Sequence, residues 1–337
     1  MSPTRRRVLS GAVTIVAAST VFNKFVFAQG TKEVIKVGGV FPSAHPASSA
    51  MENACAEIRK QSNESIDIQF FPNAQLGSES AMVSQLRSGA IGITTSGLIL
   101  STLVPIAGIT GIAFAFKDYP EVWSALDGDL GAQVRTGMEK AGIYTFPKCL
   151  DNGFRHITTS NKPIDTVDDL KNLKIRVPPN PVTVSAFSAL GASPTSINLP
   201  ELYPALQTKV VDGQENPLIV IDTGRFYEVQ KFCSMTGHLW DGHWIIANAR
   251  MWKSLPADAQ SLISRVFDTA VVKQREDAEN LNNSLEAALK ERGLVFNSPE
   301  RGQFRDALSK AGFYDDWKKK YGSEAWSKLE KYAGTLS

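Results

Sequence analysis

Apolar and polar residues follow two different periods along this chain. In "VIKVGGVF" (34–41) and "IDIQFFP" (66–72) apolar residues recur at about every second position, the pattern of a strand. Between them, "PASSAMENACAEIRKQS" puts Ala50, Ala54, Cys55 and Ile58 on one face of a helix. "SESAMVSQLRSG" predicts a helix ending at Gly89, and "AIGITTSG" a third short strand. "YPEVWSALDGDLGAQVRTGMEKAG" (119–142) reads as helical, and "IYTFPKCLD" as extended. This alternation of strands and helices makes α/β the expected class.

The second half repeats the alternation. "TVDDLKNL" (166–173) predicts a short helix, with Thr166 as its cap and acids in the first turn. "KIRV" follows as a strand stopped by Pro178 and Pro179. "VTVSAFSALG" is helical to Gly191, and "LPELYPALQTKVVDG" runs as a helix from Pro200 to Gly213. From Pro256 to Arg292 there is no glycine and no second proline. A single helix there would be about 55 Å long and could brace two lobes against each other. A break near Asn282–Asn283 is the alternative.

The N-terminus is set apart from the fold. "TRRRVLS", a mildly apolar run from Gly11 to Val21, Lys24 and "VFAQ" predict an export signal cleaved after Ala28. The arginine pair fits the twin-arginine route. The apolar run falls short of the ~20 residues that a membrane span needs. Cleavage would leave 309 of the 337 residues, enough for two domains. Removing the four leader cations from 36 leaves 32 basic against 34 acidic residues, a balance that points to neither nucleic acid nor an anionic membrane surface. Cys55, Cys149 and Cys233 form no CxxC or Cys/His ligand cluster, so no metal site is expected. A Cys149–Cys233 disulfide suits an oxidising compartment, and buried thiols are the alternative.

Arg176 raises the central question, because it sits between Ile175 and Val177 at the end of an apolar strand. A buried guanidinium must be paired. It can pair with a local acid, for which Asp168, Asp169 and Glu215 are candidates. Otherwise it can hold an incoming carboxylate bidentately at the carboxyl end of its strand. Asn216, in "GQENP", adds an amide donor beside a turn.

The stretch "LGASPTSINLPELYPALQTKVVDGQENPL", close behind "KIRVPPNP", resembles the solute-binding receptors of tripartite ATP-independent periplasmic (TRAP) transporters, of the dicarboxylate-receptor type. "FFPNAQLGSESAMVSQLRSGAIGI", "GFRHITTSNKPI" and "ARMWKSLPADAQSLI" extend the resemblance over nearly the whole chain after the leader. It implies a two-lobed periplasmic binding fold with a hinge and a long C-terminal helix spanning both lobes. One lobe would comprise 30–153 with 242–281, the other 154–241 with 282–337. Arg176 matches the carboxylate-clamping arginine, Asn216 an asparagine that bonds the same ligand, and Arg155 a second arginine that often reaches it. Leu199 falls where many members carry an aromatic residue. His45 or Ser43 would supply a polar contact from the N-terminal lobe, and Trp240, His243 and Trp244, in "HLWDGHW", an aromatic wall where the chain crosses back.

The resemblance implies a monomeric periplasmic receptor for an organic acid anion. It would need no cofactor and would deliver its solute to membrane permease subunits driven by an ion gradient. A ligand-binding subunit of a sensory system would use the same pocket. An exported hydrolase is a further alternative, although no G-x-S-x-G, H-E-x-x-H, P-loop or G-x-G-x-x-G occurs, and His45, His156, His238 and His243 lack metal-ligand spacing.

Overall fold

Two 17-residue strands organise the molecule, whose computed structural model describes residues 34–337. The leader, with its expected cleavage point after Ala28, lies outside the described residues. Strands are β1 (Ile35–Gly38), β2 (Ile68–Phe71), β3 (Ile93–Ser96), β4 (Ile143–Thr159), β5 (Lys174–Val177), β6 (Ser193–Ser196), β7 (Gly213–Asn216), β8 (Phe232–Asn248) and β9 (Val295–Asn297). Helices are α1 (Pro46–Gln61), α2 (Glu79–Ser88), α3 (Tyr119–Leu126), α4 (Asp129–Lys140), α5 (Pro181–Ala189), α6 (Leu202–Gln207), α7 (Leu218–Thr223), α8 (Ala249–Ser254), α9 (Ala257–Glu291), α10 (Arg301–Lys310), α11 (Phe313–Tyr321) and α12 (Ser323–Ala333). No helix among the described residues is long and apolar enough to cross a membrane.

One sheet runs in the order β2-β1-β3-β8-β4-β7-β5-β6, with β9 added to β8. β4 and β8 pair antiparallel along their length. β3 joins the C-terminal end of β8, at Trp244–Ala247, and β7 joins the C-terminal end of β4, at His156–Thr159. Each parallel block therefore hangs on one end of the β4–β8 ribbon, and the fold has two lobes. Between the blocks the ladder shifts register twice, between Asp151 and Gly153 and between Arg155 and Ile157. Gly153 adopts φ +113°, and a Cβ there would lie 2.5 Å from the Asn282 side chain. Glycine thus allows both the bulge and the close approach of α9.

Helix α9 is continuous for 35 residues, about 52 Å at 1.5 Å per residue, and does not break at Asn282–Asn283. Its side chains tie it to both lobes. Arg265 donates to Gln61 of α1 (2.8 Å), and Arg275 pairs with Asp127 (2.7 Å). Asn282 accepts from the backbone N–H of Ile219 (3.3 Å), and Arg292, just past the helix, pairs with Asp222. Gln274 donates to the carbonyl of Asp151 and accepts from its N–H, both at 2.8 Å, acting as a missing ladder partner.

Two local expectations differ from the structure, and the cysteines follow the buried-thiol alternative. The 119–142 segment is two helices, α3 and α4, because the chain folds back tightly at Asp127–Gly128, where a Cβ on Gly128 would meet the Ser124 carbonyl at 2.4 Å. Gly213 does not end a helix. α6 stops at Gln207, and Gly213 opens β7, where a Cβ would lie 2.6 Å from the carbonyl of Thr158 on β4. All three cysteines are free and buried. Cys233 opposes Thr158, nine residues along β4 from Cys149, a separation of roughly 25–30 Å that no disulfide spans. Helix α12 lies beside α4, where Tyr332 donates to Asp129 (2.6 Å).

Asp151 sits where the two long strands cross, fully buried, with Oδ1 accepting from Trp240 Nε1 (2.7 Å) and Oδ2 without a partner. Burial pushes its carboxyl up to about 7, partly opposed by the Trp240 hydrogen bond. Between about pH 4 and pH 7 the native state then binds a proton that the unfolded state has lost, so stability falls as pH rises. Asp151→Asn keeps the acceptor for Trp240 and removes the titration. Its stability relative to wild type should rise by about 2.5 kcal/mol from pH 5 to pH 8, about 1.4 kcal/mol for each of the roughly two pH units between pH 5 and the native pKa. Thermal unfolding of both proteins across that range checks this, and parallel curves would refute it.

Candidate functional site

The carboxyl ends of the parallel strands in both blocks point at the bulged middle of the β4–β8 ribbon. A cavity of about 30 Å³ lies there. β4 contributes Asn152 and Arg155, and β8 contributes Asp241 and His243. The ends of β5 and β7 supply Arg176 and Asn216, and Glu79 comes from the first turn of α2. Phe41 and Leu199 close it from opposite lobes.

Arg176 stands on β5 because Ile175 and Val177 point into the core on the other face. It is 2% exposed. Nε donates to the Ile197 carbonyl (2.8 Å), which fixes the plane of the guanidinium, and Nη1 has no partner. None of the three acids that could neutralise it does so. Asp168 pairs with Lys171 (2.9 Å), Asp169 with Lys162 (2.7 Å) and Glu215 with Arg155 (2.5 Å). Burial, and the nearby charge of Arg155, lower its pKa to about 10.

Arg155 is in the opposite condition. Nε and Nη2 hold the Glu215 carboxylate at 2.5 and 2.8 Å, Nη2 also donates to the Glu215 carbonyl at 2.5 Å, and Nη1 reaches Asp241 Oδ2 at 2.6 Å. Burial works against both charges, yet the pair wins: Glu215 is held down at about 2 and Arg155 is raised. His238 Nε2–H donates to Glu215 (3.0 Å) while Nδ1 accepts from Thr236 (2.7 Å). On the other side, Asn152 donates to Asp241 (2.8 Å) and accepts from His45 Nε2 (3.1 Å). His45 also caps α1, accepting from Ala47 N at 3.1 Å, and burial lowers its pKa to about 3. A hydrogen-bonded chain thus runs from α1 to β8 through the centre of the molecule.

Of the residues singled out in the sequence, Arg176, Asn216, Arg155, Leu199 and His243 meet at the cavity. His45 is one residue removed, behind Asn152, and Ser43 is exposed outside it. Trp240 and Trp244 do not form an aromatic wall on the cavity. Successive residues of β8 point to opposite faces, so Asp241 and His243 face the cavity while Trp240 and Trp244 pack into the core. Trp240 lies edge-on to Trp123 at 5.3 Å, and Arg135 lies 5.9 Å from the ring of Trp244. The polar cavity residues that the sequence reasoning missed are Glu79, Asn152 and Asp241. The period-2 rule applied to "LWDGHW" would have found Asp241. Glu79 Oε1 is oriented by Ser96 Oγ (2.7 Å) and the Gly97 N–H (2.8 Å). Asn216 donates one amide N–H to Gln214, which leaves it a second.

The two arginines should respond oppositely to truncation. Arg155→Ala leaves two buried carboxylates unpaired and should destabilise the ligand-free protein by ~3–5 kcal/mol. Arg176→Ala removes a desolvated, unpaired charge and should leave stability unchanged or improved. Denaturant unfolding of both variants checks this, and equal losses would contradict the assignment.

Three comparisons with known proteins agree. The 2,3-diketo-L-gulonate-binding periplasmic protein YiaO of Escherichia coli (strain K12) is 31% identical over 74% of this chain and 77% of its own length. A TRAP periplasmic solute-binding protein of Polaromonas sp JS666, solved with D-erythronate, superposes with a TM-score of 0.84 at 29% identity, covering 90% of this chain and 99% of that one. Another, from Haemophilus influenzae RdAW with L-gulonate, gives 0.83 at 30% identity, covering 89% and 98%. Residues 37–319 match the DctP family model, and the chain belongs to that family, the bacterial extracellular solute-binding proteins, family 7.

Proposed function

We propose that this protein is an exported TRAP receptor that captures a hydroxy-carboxylate anion in the central cavity. Closure of two lobes then presents the complex to membrane permease subunits. Export would follow cleavage near Ala28. The lobes would be those expected from the sequence, hinged at the β4–β8 bulges, with α12 assigned to the first.

One observation carries the ligand class. Three buried polar atoms of cavity residues have no partner: Arg176 Nη1, a charged donor; Asp241 Oδ1, an acceptor; and His243 Nδ1, which donates or accepts according to its tautomer. A carboxylate satisfies the first and a hydroxyl the second, so a molecule bearing both removes two buried deficits at once. Asn216 has a free N–H for the carboxylate, and Glu79 a second acceptor for hydroxyls. D-Erythronate and L-gulonate, bound by the two similar proteins, have this chemistry. The phosphate esters of sugars do not fit, because no glycine-rich cradle opens a helix at the cavity. The DctP family is one of extracellular solute-binding proteins, which favours a receptor over a hydrolase.

Calorimetry with D-erythronate, butyrate, succinate, erythritol and a sugar phosphate tests this reading. The hydroxy acid should bind at least about tenfold more tightly than butyrate, and erythritol and the phosphate ester should not bind. Arg176→Ala should weaken hydroxy-acid binding by ~2–5 kcal/mol, and Arg176→Lys should recover only part, since an ammonium cannot match both oxygens. Retention of affinity within twofold by the alanine variant would sink the clamp. Binding of neutral sugars in preference to acids would sink the ligand class.

A further inference from the structure

A second, larger cavity of about 180 Å³ adjoins the polar one, sharing Val40, Phe41 and Leu199 as common walls. Its remaining lining comes from both lobes and is mainly apolar. Pro42 and Ala74 stand on one side, and Pro200, Tyr203, Val220 and Phe226 on the other. Val40, Phe41, Val220 and Phe226 are each 4% exposed or less, so they are core residues whose packing stops short at this space. Water there finds few partners: of the three side chains with polar atoms, Asn73, Tyr203 and Thr223, Thr223 Oγ1 already donates to the Ile219 carbonyl (2.8 Å) and the Tyr203 hydroxyl to Glu228 (2.8 Å).

The wall that follows β2 is held in an unusual backbone conformation. Asn73 and Ala74 both have left-handed φ, +59° and +52°. Such geometry is unfavourable for alanine, and it persists because Asn73 N–H donates to the Phe41 carbonyl (2.7 Å) and Ala74 N–H to that of Gly39 (3.0 Å). These bonds fix the turn after β2 to the same segment that separates the two cavities.

The polar cavity is small. It takes a carboxylate and the few atoms next to it, whereas six times that space lies beyond Phe41 and Leu199. We propose that the apolar cavity is a second subsite, which takes a hydrocarbon substituent of about phenyl size on a hydroxy acid whose head group sits at Arg176. This rests on the function proposed above and narrows its ligand class to hydroxy acids with an apolar far end.

Isothermal titration of wild-type protein with lactate and with 3-phenyllactate tests it, since the two share a head group and differ only in the ring. The phenyl acid should bind about tenfold or more tighter. In a second arm, Thr223→Trp fills the cavity from the end of α7 without touching Arg176, Asp241 or Asn216. It should lower 3-phenyllactate affinity about tenfold or more and change lactate affinity less than twofold. Equal affinity of the two acids for wild type overturns the subsite and leaves the head-group reading intact, as does a tryptophan variant that loses both equally. If no carboxylate binds at all, the function reading falls, and the subsite with it.

Discussion

The fork between Arg155, Glu215 and Asp241 is the constraint on which the centre of this molecule depends. It joins β4, β7 and β8 at the point where the ladder is interrupted and backbone pairing is weakest. A buried ion pair of this kind gives little net stability compared with a well-packed apolar core, but removing one member is costly. It therefore fixes register: only one alignment of the bulged middle of the ribbon brings the Arg155 guanidinium onto both carboxylates. Asn152 and His45 extend the same network to the cap of α1, so the first helix of one lobe and the sheet of the other share one polar chain.

That network also explains Arg176. Glu215 is the nearest acid on the neighbouring strand, and it is fully engaged by Arg155 and His238. Arg176 is left with a single backbone carbonyl and with another guanidinium nearby, which, after burial, is what lowers its pKa. The protein thus holds one arginine neutralised and one exposed only to the cavity. On the proposed function the first builds the site and the second uses it. The same residue type serves both ends because the planar fork suits internal and incoming carboxylates alike.

Much of this could be read from the sequence, for specific reasons. The α/β class, the long helix and Arg176 stood out because each departs from local background: a change of period, 37 residues without glycine, a charge inside an apolar strand. The role of Arg155 did not, because it depends on which strands become neighbours. Nothing near "GFR" announces that Glu215 and Asp241, 60 and 86 residues away, will converge on it. Gly213 was misleading because glycine serves two purposes: it ends helices, and it admits a close strand approach, here to Thr158. Strand parity alone separates Trp240 and Trp244 from the Asp241–His243 pair; the sequence reading named His243 with both tryptophans and left out Asp241, which shares the face of His243.

Closure has its own energetics. Besides the Asn152–Asp241 bond at the bulges, two direct side-chain bonds cross the cleft near the cavity: Ser80 Oγ donates to Asn198 (2.9 Å), and Asn180 Nδ2 donates to the Leu98 carbonyl (2.8 Å). Each is a neutral hydrogen bond, worth about 0.5–1.5 kcal/mol net. Together they can bias an open–closed equilibrium only modestly, and ordering two lobes opposes them. A bound anion contacting Arg176 and Asp241 on one side and Glu79 on the other would add charge-assisted bonds that exist only when both walls are present, about 1.5–3 kcal/mol each. Differential contacts of that size can turn a minority closed form into the dominant one. The ligand, rather than the cleft's own hydrogen bonds, would then set the state that a membrane partner meets.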